Sequence, residues 1–356
     1  MVGISTSFGM TGQGLSLRAG ISNLSSQQQA LQTQVATGVA SDTYAGLGVN
    51  RVQALALQPA LTQISAWSSN VTSAQNTLTT TQTALSGISD IAASLSKSLQ
   101  NISGTANSAS VAAVVQEAQQ DLASLGGLLN TKSGNSYVLA GRQSTVAPVT
   151  SSNLATSELA TSITNVVKAL GSTSADDVLT ATQSLAATTS ADSPFSANLS
   201  VNGTEASSLT SVVQIGQGEW ISVGTTATAG TAGTDSSTGS PIRDLMRNLM
   251  VVASLGSTTP GTAEYKNLIQ GLTTSNGDVT SQLSDLSANL GVTQNRLSFQ
   301  SSSLSQMQTA LRTQLGNAKN VDYATVSTQL SAVKAQLQAS YSVIADMKSL
   351  TLAQFI

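Results

Sequence analysis

The chain has 356 residues, of which 40% are apolar and only 9% are charged, with a formal net charge of −3. A typical soluble domain has roughly 25% charged residues, so copies of this chain repel each other weakly. Its 14 Lys and Arg residues are scattered, which excludes the basic field that nucleic-acid binding requires. Cys and His are absent, which excludes disulfides and thiolate or imidazole chemistry. We therefore expect no enzyme, no metal and no cofactor.

The start of the chain predicts no targeting segment. Residues 1–14 contain no Lys or Arg and no apolar run of signal-peptide length. No apolar stretch reaches the roughly 18 residues of a membrane span, so we expect no membrane insertion. If the protein leaves the cell, we expect a route that retains its N-terminus.

The front of the chain predicts a nearly uncharged amphipathic helix. Its apolar residues recur at steps of three, four or seven residues, which is typical of a helix with one apolar face. These residues are Leu17, Ile21, Leu24, Leu31 and Val35. The glycine-rich segment 38–50 then predicts an irregular link.

Residues 60–147 lack proline and continue the helical period. The pattern predicts a long helix that follows Arg51 and ends near Gly104, and a second helix from about Ser110 to Asn130. The apolar face of the long helix begins with Leu61, Ile64, Trp67 and Val71.

The middle, residues 134–241, has a different pattern. Residues 137–141 predict a short strand, and residues 154–188 predict partly helical structure. The alternation of Val212–Val223 around a glycine-rich centre predicts a hairpin, and Asn202-Gly203 predicts another. We interpret this region as an exposed α+β insert.

The back of the chain returns to helical spacing. One helix is predicted from Ile242 to near Gly256, another from about Ala263, and a long one from Val279 to Leu315. The long helix carries Leu290, Leu297, Leu304 and Leu311 on one face. Asp322 is a good N-cap for a last helix that reaches about Leu350 and carries Leu330, Val333, Leu337, Ile344 and Met347.

These elements predict a mainly α fold: a long antiparallel, coiled-coil-like helical rod formed by the two ends, with a small α+β insert. We expect residues 1–42 with 320–356 to form a terminal coiled-coil domain. Residues 43–133 with 242–319 would form the rod domain, and 134–241 the surface insert.

The terminal apolar faces predict contacts between subunits, because they reach the ends of the chain, where globular proteins usually fray. An ordinary intramolecular core is the alternative. The faces of the two long helices are interpreted as the core of the rod. Asn295 and Arg296 are candidates for polar alignment of neighbouring helices, with an ion pair from Arg296 to Asp42 or Asp90.

Four segments resemble the bacterial flagellin family: SDTYAGLGVNRVQALALQ (41–58), NSYVLAGRQSTVAP (135–148), LGVTQNRL (290–297) and the helix NVDYATVSTQLSAVKAQLQASYSVIADMKSLTLAQFI (320–356). The second and fourth are closest to hook-associated protein 3, the hook–filament junction type. The front departs from filament flagellins, since it lacks their Asn-Thr-Asn opening and has QVATG (34–38) where they have Arg-Leu-Ser-Ser-Gly.

The resemblance implies a structural subunit of the extracellular flagellum that assembles through its terminal helices, at the junction or in the filament. It implies export through the flagellar apparatus without a cleaved signal peptide. The implied partners are other copies, hook-associated proteins, flagellin, the filament cap and an export chaperone. The alternatives are a filament flagellin proper, and a surface adhesin or carbohydrate-binding module that uses the insert and Trp220.

Overall fold

A computed structural model describes the backbone of residues 5–353 except 105–106, 152, 191 and 235, and the side chains of residues 15–346 with the same gaps. The chain divides into two compact units. The first comprises Met1–Ser65 and Gln306–Ile356, and the second comprises Ala66–Ser305.

The described residues form mainly long helices. In chain order these are α1 Ser5–Thr37, α2 Arg51–Ser103, α3 Ser108–Leu129, α4 Glu158–Lys168, α5 Ala175–Ala186, α6 Gly203–Ser208, α7 Pro241–Ala253, α8 Ala263–Lys319 and α9 Tyr323–Ala353. Short 3₁₀ segments cover Tyr44–Asn50, Leu154–Thr156 and Leu255–Ser257.

Two small antiparallel sheets accompany the helices. One pairs β1 Lys132–Ser133 with β2 Ser136–Tyr137, and the other pairs β3 Ser211–Gly216 with β4 Glu219–Val223. The mainly α fold with a small α+β insert is therefore confirmed.

In the first unit, α1 and α9 pack against each other in antiparallel directions. The two links beside them are joined by backbone hydrogen bonds: Ala40 N donates to Lys319 O over 2.7 Å, and Val321 N donates to Gly38 O over 3.0 Å. Asp322 caps α9, because its Oδ1 accepts from Ala324 N over 3.0 Å. This N-cap was predicted from the sequence.

In the second unit, α7 forms the centre of the core. Every residue from Pro241 to Val252 is buried, and the helix packs on α3, α4 and α5. A helix that is buried on all sides must satisfy its polar side chains internally. Asp244 does so by accepting from Ser237 Oγ and from Thr238 N.

The β3–β4 hairpin is fixed to helices of the same unit by side-chain amides. Asn70 Nδ2 donates to Gln214 O over 3.0 Å, and Gln300 Nε2 donates to Ile215 O over 2.9 Å. These bonds use two backbone acceptors of β3.

Several predicted elements differ from the structure. Asn202-Gly203 does not form a hairpin, because Asn202 Oδ1 accepts from Glu205 N over 2.8 Å and starts α6. The strand predicted at residues 137–141 ends at Tyr137 and continues as turns. The two helices predicted from about Ala263 and from Val279 are one helix, α8, of 57 residues. The three-part domain division stays a prediction.

Candidate assembly surfaces

The terminal helices α1 and α9 form a small apolar cluster, here called the terminal cluster. Four of its residues are buried: Leu31, Val326, Val333 and Leu337. Five half-buried residues pack around them: Ile21, Leu24, Val35, Val321 and Leu330. The i, i+3, i+4 and i+7 spacing of α1 and α9 produces two narrow apolar stripes, and each covers the other.

The structure therefore brings most of the predicted assembly residues together within one chain. Leu17 and Ile344 are half-buried, and the side chain of Met347 lies outside the described residues. Leu31, Val333 and Leu337 are already covered by their own chain. The half-buried members keep apolar surface that another copy could cover.

A groove of about 370 Å³ opens between α1 and α9 beyond the terminal cluster. It is lined by Ser16, Leu17, Gly20, Ile21, Leu24, Ser340 and Val343. Val343 is 47% exposed, and a Cβ added at Gly20 would have no described atom within 4 Å. The described side chains of the two terminal helices, residues 15–37 and 323–346, thus leave an apolar recess unfilled.

The links between the long and terminal helices are tightly built. Gly38 has φ 72°, a conformation that favours glycine. A Cβ at Gly38 would overlap the hydroxyl oxygen of Tyr323. Nearby, Lys319 Nζ lies 5.0 Å from the centroid of the Tyr44 ring, and Leu47, Ala54 and Ala318 form a second buried cluster.

The structure separates the predicted rod-core residues into the two units. In the first unit Ile64 is buried, and Leu61 and Leu311 are half-buried. In the second unit Val71, Leu290, Leu297 and Leu304 are buried and Trp67 is half-buried. Their burial is the outcome that helical periodicity predicts, whereas their role as one continuous rod core stays a prediction.

Arg296 forms an ion pair, but the predicted partners were wrong. Its Nη2 donates to Glu219 Oε1 on β4 over 3.0 Å, and not to Asp42 or Asp90. The two side chains are 54% and 44% exposed, so water screens the pair. Asn295 is exposed, and its role in alignment stays a prediction.

Other apolar side chains are exposed away from the terminal helices. Phe299 is 76% and Val292 is 69% exposed on α8, and Trp220 is 57% exposed on β4. In the first unit Val49 is 94% and Val52 is 72% exposed. Single exposed apolar residues are ordinary, but several large ones on a nearly uncharged surface favour association.

Buried charged residues were missed by the sequence reading. Arg243 on α7 is 2% exposed, and its guanidinium lies 5.3 Å from the Phe195 ring. Burial lowers the pKa of Arg243 to about 10, against the opposing effect of Asp244. The guanidinium donates to four backbone carbonyls, those of Ala186, Thr188, Leu199 and Val201. The signal was a set of polar residues, two of them arginines, among the apolar residues of α7.

A further polar contact joins α2 and α3. Glu117 on α3 accepts from Ser94 Oγ over 3.0 Å and from Ser98 Oγ over 2.7 Å. Burial, and then the neighbouring Glu117, raise the pKa of Asp121 to about 6. We interpret these residues as parts of the helix packing.

Within the described ranges, no three His, Cys, Asp or Glu side chains are placed to hold a metal ion. In the same part of the chain, no helix combines the length and apolarity that crossing a membrane requires.

Two comparisons with known proteins agree with this architecture. Residues 274–356 match the family model of the bacterial flagellin C-terminal helical region. The fold is similar to a structure from Vibrio parahaemolyticus described as a flagellar hook-associated protein. That match has a TM-score of 0.52 and 11% sequence identity, and it covers 76% of this chain and 97% of the other. No curated protein matches in sequence.

The matched region includes most of α8 and the whole of α9, which are the elements that carried the resemblance at the C-terminal end. The resemblance that was recognised from the sequence is therefore confirmed: the C-terminal region matches that of bacterial flagellins, and the fold is like that of a flagellar hook-associated protein.

Proposed function

We propose that this chain is a structural subunit of the bacterial flagellum, and that it assembles with other copies and with other flagellar axial proteins through its α1–α9 pair. The observation that carries the proposal is the unfilled apolar groove beside Leu17 and Val343. Burying apolar surface contributes about 25 cal/mol per Å², and the groove offers such surface to a helix of a neighbouring subunit. The low charge of the chain favours close packing of many copies.

In this proposal α1 and α9 have two roles. The terminal cluster around Leu31 and Val333 joins the two helices within one chain, and the groove with the half-buried Leu17 and Ile344 receives the neighbour. The predicted domain of residues 1–42 with 320–356 is then the part that contacts other subunits. The long helices α2 and α8 supply the rod, and the region 134–241 faces outwards.

We place the subunit at the hook–filament junction. The likeness to a hook-associated protein supports this position. A filament flagellin is the second candidate, because the matched C-terminal model is that of bacterial flagellin. Copy number distinguishes the two: a junction protein should be a trace component of sheared flagella, and its deletion should release unassembled flagellin into the medium.

The proposal includes export to the cell exterior without a cleaved signal peptide, with the help of a chaperone, and neither membrane insertion nor catalysis. Recovery of the protein from purified flagella with its initial residues intact would support the export route. A shortened N-terminus on the assembled protein would contradict it.

Substitution at Gly20 tests the assembly role directly. A Cβ at this position has no described atom within 4 Å, and a Leu side chain would extend from it into the groove. We expect Gly20→Leu to leave the helical content of the monomer unchanged and to block incorporation into flagella. The matched control is Gly127→Leu on α3, where an exposed helical glycine also has no described atom within 4 Å. Normal incorporation of Gly20→Leu would refute the proposed role of the groove.

An adhesin or carbohydrate-binding role for the insert keeps one supporting observation, the exposed ring of Trp220. Such a role requires a Trp220→Ala variant to lose sugar binding and retain assembly. A glycan array without any Trp220-dependent signal would exclude it.

A further inference from the structure

Two arginines lie one turn apart on the buried helix α7, and their surroundings differ. The guanidinium of Arg243 is matched by four backbone carbonyls. Both terminal nitrogens of this buried cation are thus satisfied without any ligand, although its Nε has no partner among the described residues. Arg243 therefore shows how this fold holds an arginine with a purely structural role.

Arg247 is equally buried, at 2% exposure, but has far fewer partners. Its Nη2 donates to Ser275 Oγ over 2.9 Å, and that hydroxyl also bonds Asn248. Its Nε, like that of Arg243, has no hydrogen-bond partner among the described residues, so the two arginines differ at their terminal nitrogens. Within the same part of the chain, no carboxylate lies within 4.0 Å of its guanidinium, and Asp244 on the same helix acts on the Arg247 charge from farther away, since it raises the pKa that burial lowers. A buried guanidinium with unused donors is energetically costly unless an acceptor reaches it.

Arg247 opens on a cavity of about 370 Å³ in the second unit. Such a volume is within the roughly 300–1,000 Å³ that ligand pockets span. One face of α5 and one face of α8 form its walls, each presenting residues at i, i+3, i+4 and i+7. The α5 wall consists of Asp176, Leu179, Thr180 and Gln183, and the α8 wall of Gly271, Thr274, Ser275 and Asp278.

The two walls approach closely because α8 has a glycine at the contact. A Cβ at Gly271 would overlap the side-chain tip of Leu179. The apolar Leu179 therefore lies against α8 backbone. The polar groups beside it are partly engaged, because Gln183 Nε2 donates to Thr234 O and Thr274 Oγ1 donates to Gln270 O. The lining is thus part apolar and part hydrogen-bonding, as ligand sites usually are.

The charges of the lining are of both signs. Arg247 supplies a guanidinium from α7, and the exposed Asp176 and Asp278 supply carboxylates from the two walls. A bare dianion such as phosphate would pair with Arg247 and be repelled by both aspartates. A bare cation would be attracted by both aspartates and repelled by Arg247. A ligand with a carboxylate and an ammonium group matches both signs.

We propose that this cavity binds a small zwitterion of the α-amino acid class. Its carboxylate accepts from Arg247, which offers a planar fork suited to carboxylates. Its ammonium donates to Asp176 and Asp278, and its side chain lies against Leu179. This site lies outside the surfaces assigned to assembly, so the proposal does not depend on them.

Thermal unfolding of the full chain tests the proposal. Each of the common L-α-amino acids is added at millimolar concentration, because a ligand that binds only the folded state raises the melting temperature. For the acid with the largest effect, two analogues are compared: one has a hydroxyl in place of the ammonium, and the other lacks the carboxylate. We expect the amino acid to raise the melting temperature more than either analogue or inorganic phosphate.

Variants then assign the effect to the cavity. We expect Asp176→Asn with Asp278→Asn to weaken binding at least about tenfold, the equivalent of about 1.4 kcal/mol, and Arg247→Gln to abolish it. Asp285→Asn is the matched control, since it removes an exposed aspartate from the same helix α8 outside the cavity. Asp176 and Asp278 are exposed, so we expect their variants to fold. They therefore test the cavity even if Arg247→Gln does not fold.

Three results would overturn the proposal. The first is that no amino acid shifts the melting temperature. The second is an equal shift in the wild type and the double aspartate variant. The third is a larger shift with phosphate than with any amino acid.

Discussion

Gly38 and Tyr323 lie against each other where the terminal helices join the rest of the first unit. The backbone at Gly38 has φ 72°, and the phenol oxygen of Tyr323 occupies the space that a Cβ would need. Val321 N also donates to Gly38 O over 3.0 Å. This contact fixes the direction in which α1 ends and α9 begins.

We expect Gly38→Ala to destabilise the α1–α9 pair. The positive φ alone costs about 1–2 kcal/mol for a residue with a Cβ, and the overlap with Tyr323 adds to it. Hydrogen exchange should show faster exchange in α9. Gly134→Ala is the control, because Gly134 has φ 61° and no described atom within 4 Å of its Cβ position. Equal effects of the two substitutions on α9 would show that the Tyr323 contact is unimportant.

The Arg296–Glu219 pair should contribute little to folding. Exposed ion pairs typically contribute 0–1 kcal/mol, and both side chains are about half exposed. We expect Arg296→Gln to change the free energy of unfolding by less than about 1 kcal/mol. If Arg296 aligns neighbouring subunits, Arg296→Glu will impair assembly more than folding. Unchanged assembly after this charge reversal would remove that role.

Arg243 should be essential to the second unit. Replacement by Leu leaves the carbonyls of Ala186, Thr188, Leu199 and Val201 without their donor. Breaking a buried charged network typically costs about 3–5 kcal/mol. We expect Arg243→Leu to unfold this unit at lower denaturant concentration, and Arg243→Lys to restore only part of the loss. Wild-type stability of Arg243→Leu would contradict the role of this network.

Asp121 should make stability depend on pH. Its pKa is raised from 3.8 to about 6 in the folded chain, mainly by burial. Between these two values the folded state binds more protons than the unfolded state, so stability falls as pH rises towards 6. We expect Asp121→Asn to flatten the melting temperature over this range. Asp90→Asn, an exposed aspartate on α2, is the control and should keep the slope.

Helical periodicity predicted the long helices because their apolar faces repeat over many turns. The start of α9 was predicted as well, since an Asp before a periodic segment has a direct capping mechanism. The hairpin of Val212–Val223 was predicted from alternation around Gly216 and Gly218. These features depend on residues that are close together in the sequence, so the sequence alone is sufficient to predict them.

Features that depend on distant residues were not predicted. Asn202-Gly203 is compatible with both a hairpin turn and a helix start. In the structure it starts a helix, and Gly203 lies close to the backbone of Thr231 and Gly239. Arg296 finds Glu219, 77 positions away in sequence. The burial of Arg243 and Arg247 follows from the elements that surround α7. The sequence shows only that two arginines, with Asp244 and Asn248, stand among apolar residues.

Labelling at Gly20 tests whether neighbouring subunits pack into the α1–α9 groove. The chain has no cysteine, so Gly20→Cys introduces one thiol at a position with open space. Maleimide labelling is then measured on the dispersed protein and on assembled flagella. We expect rapid labelling of the dispersed chain and protection after assembly. Equal labelling in both states would contradict it.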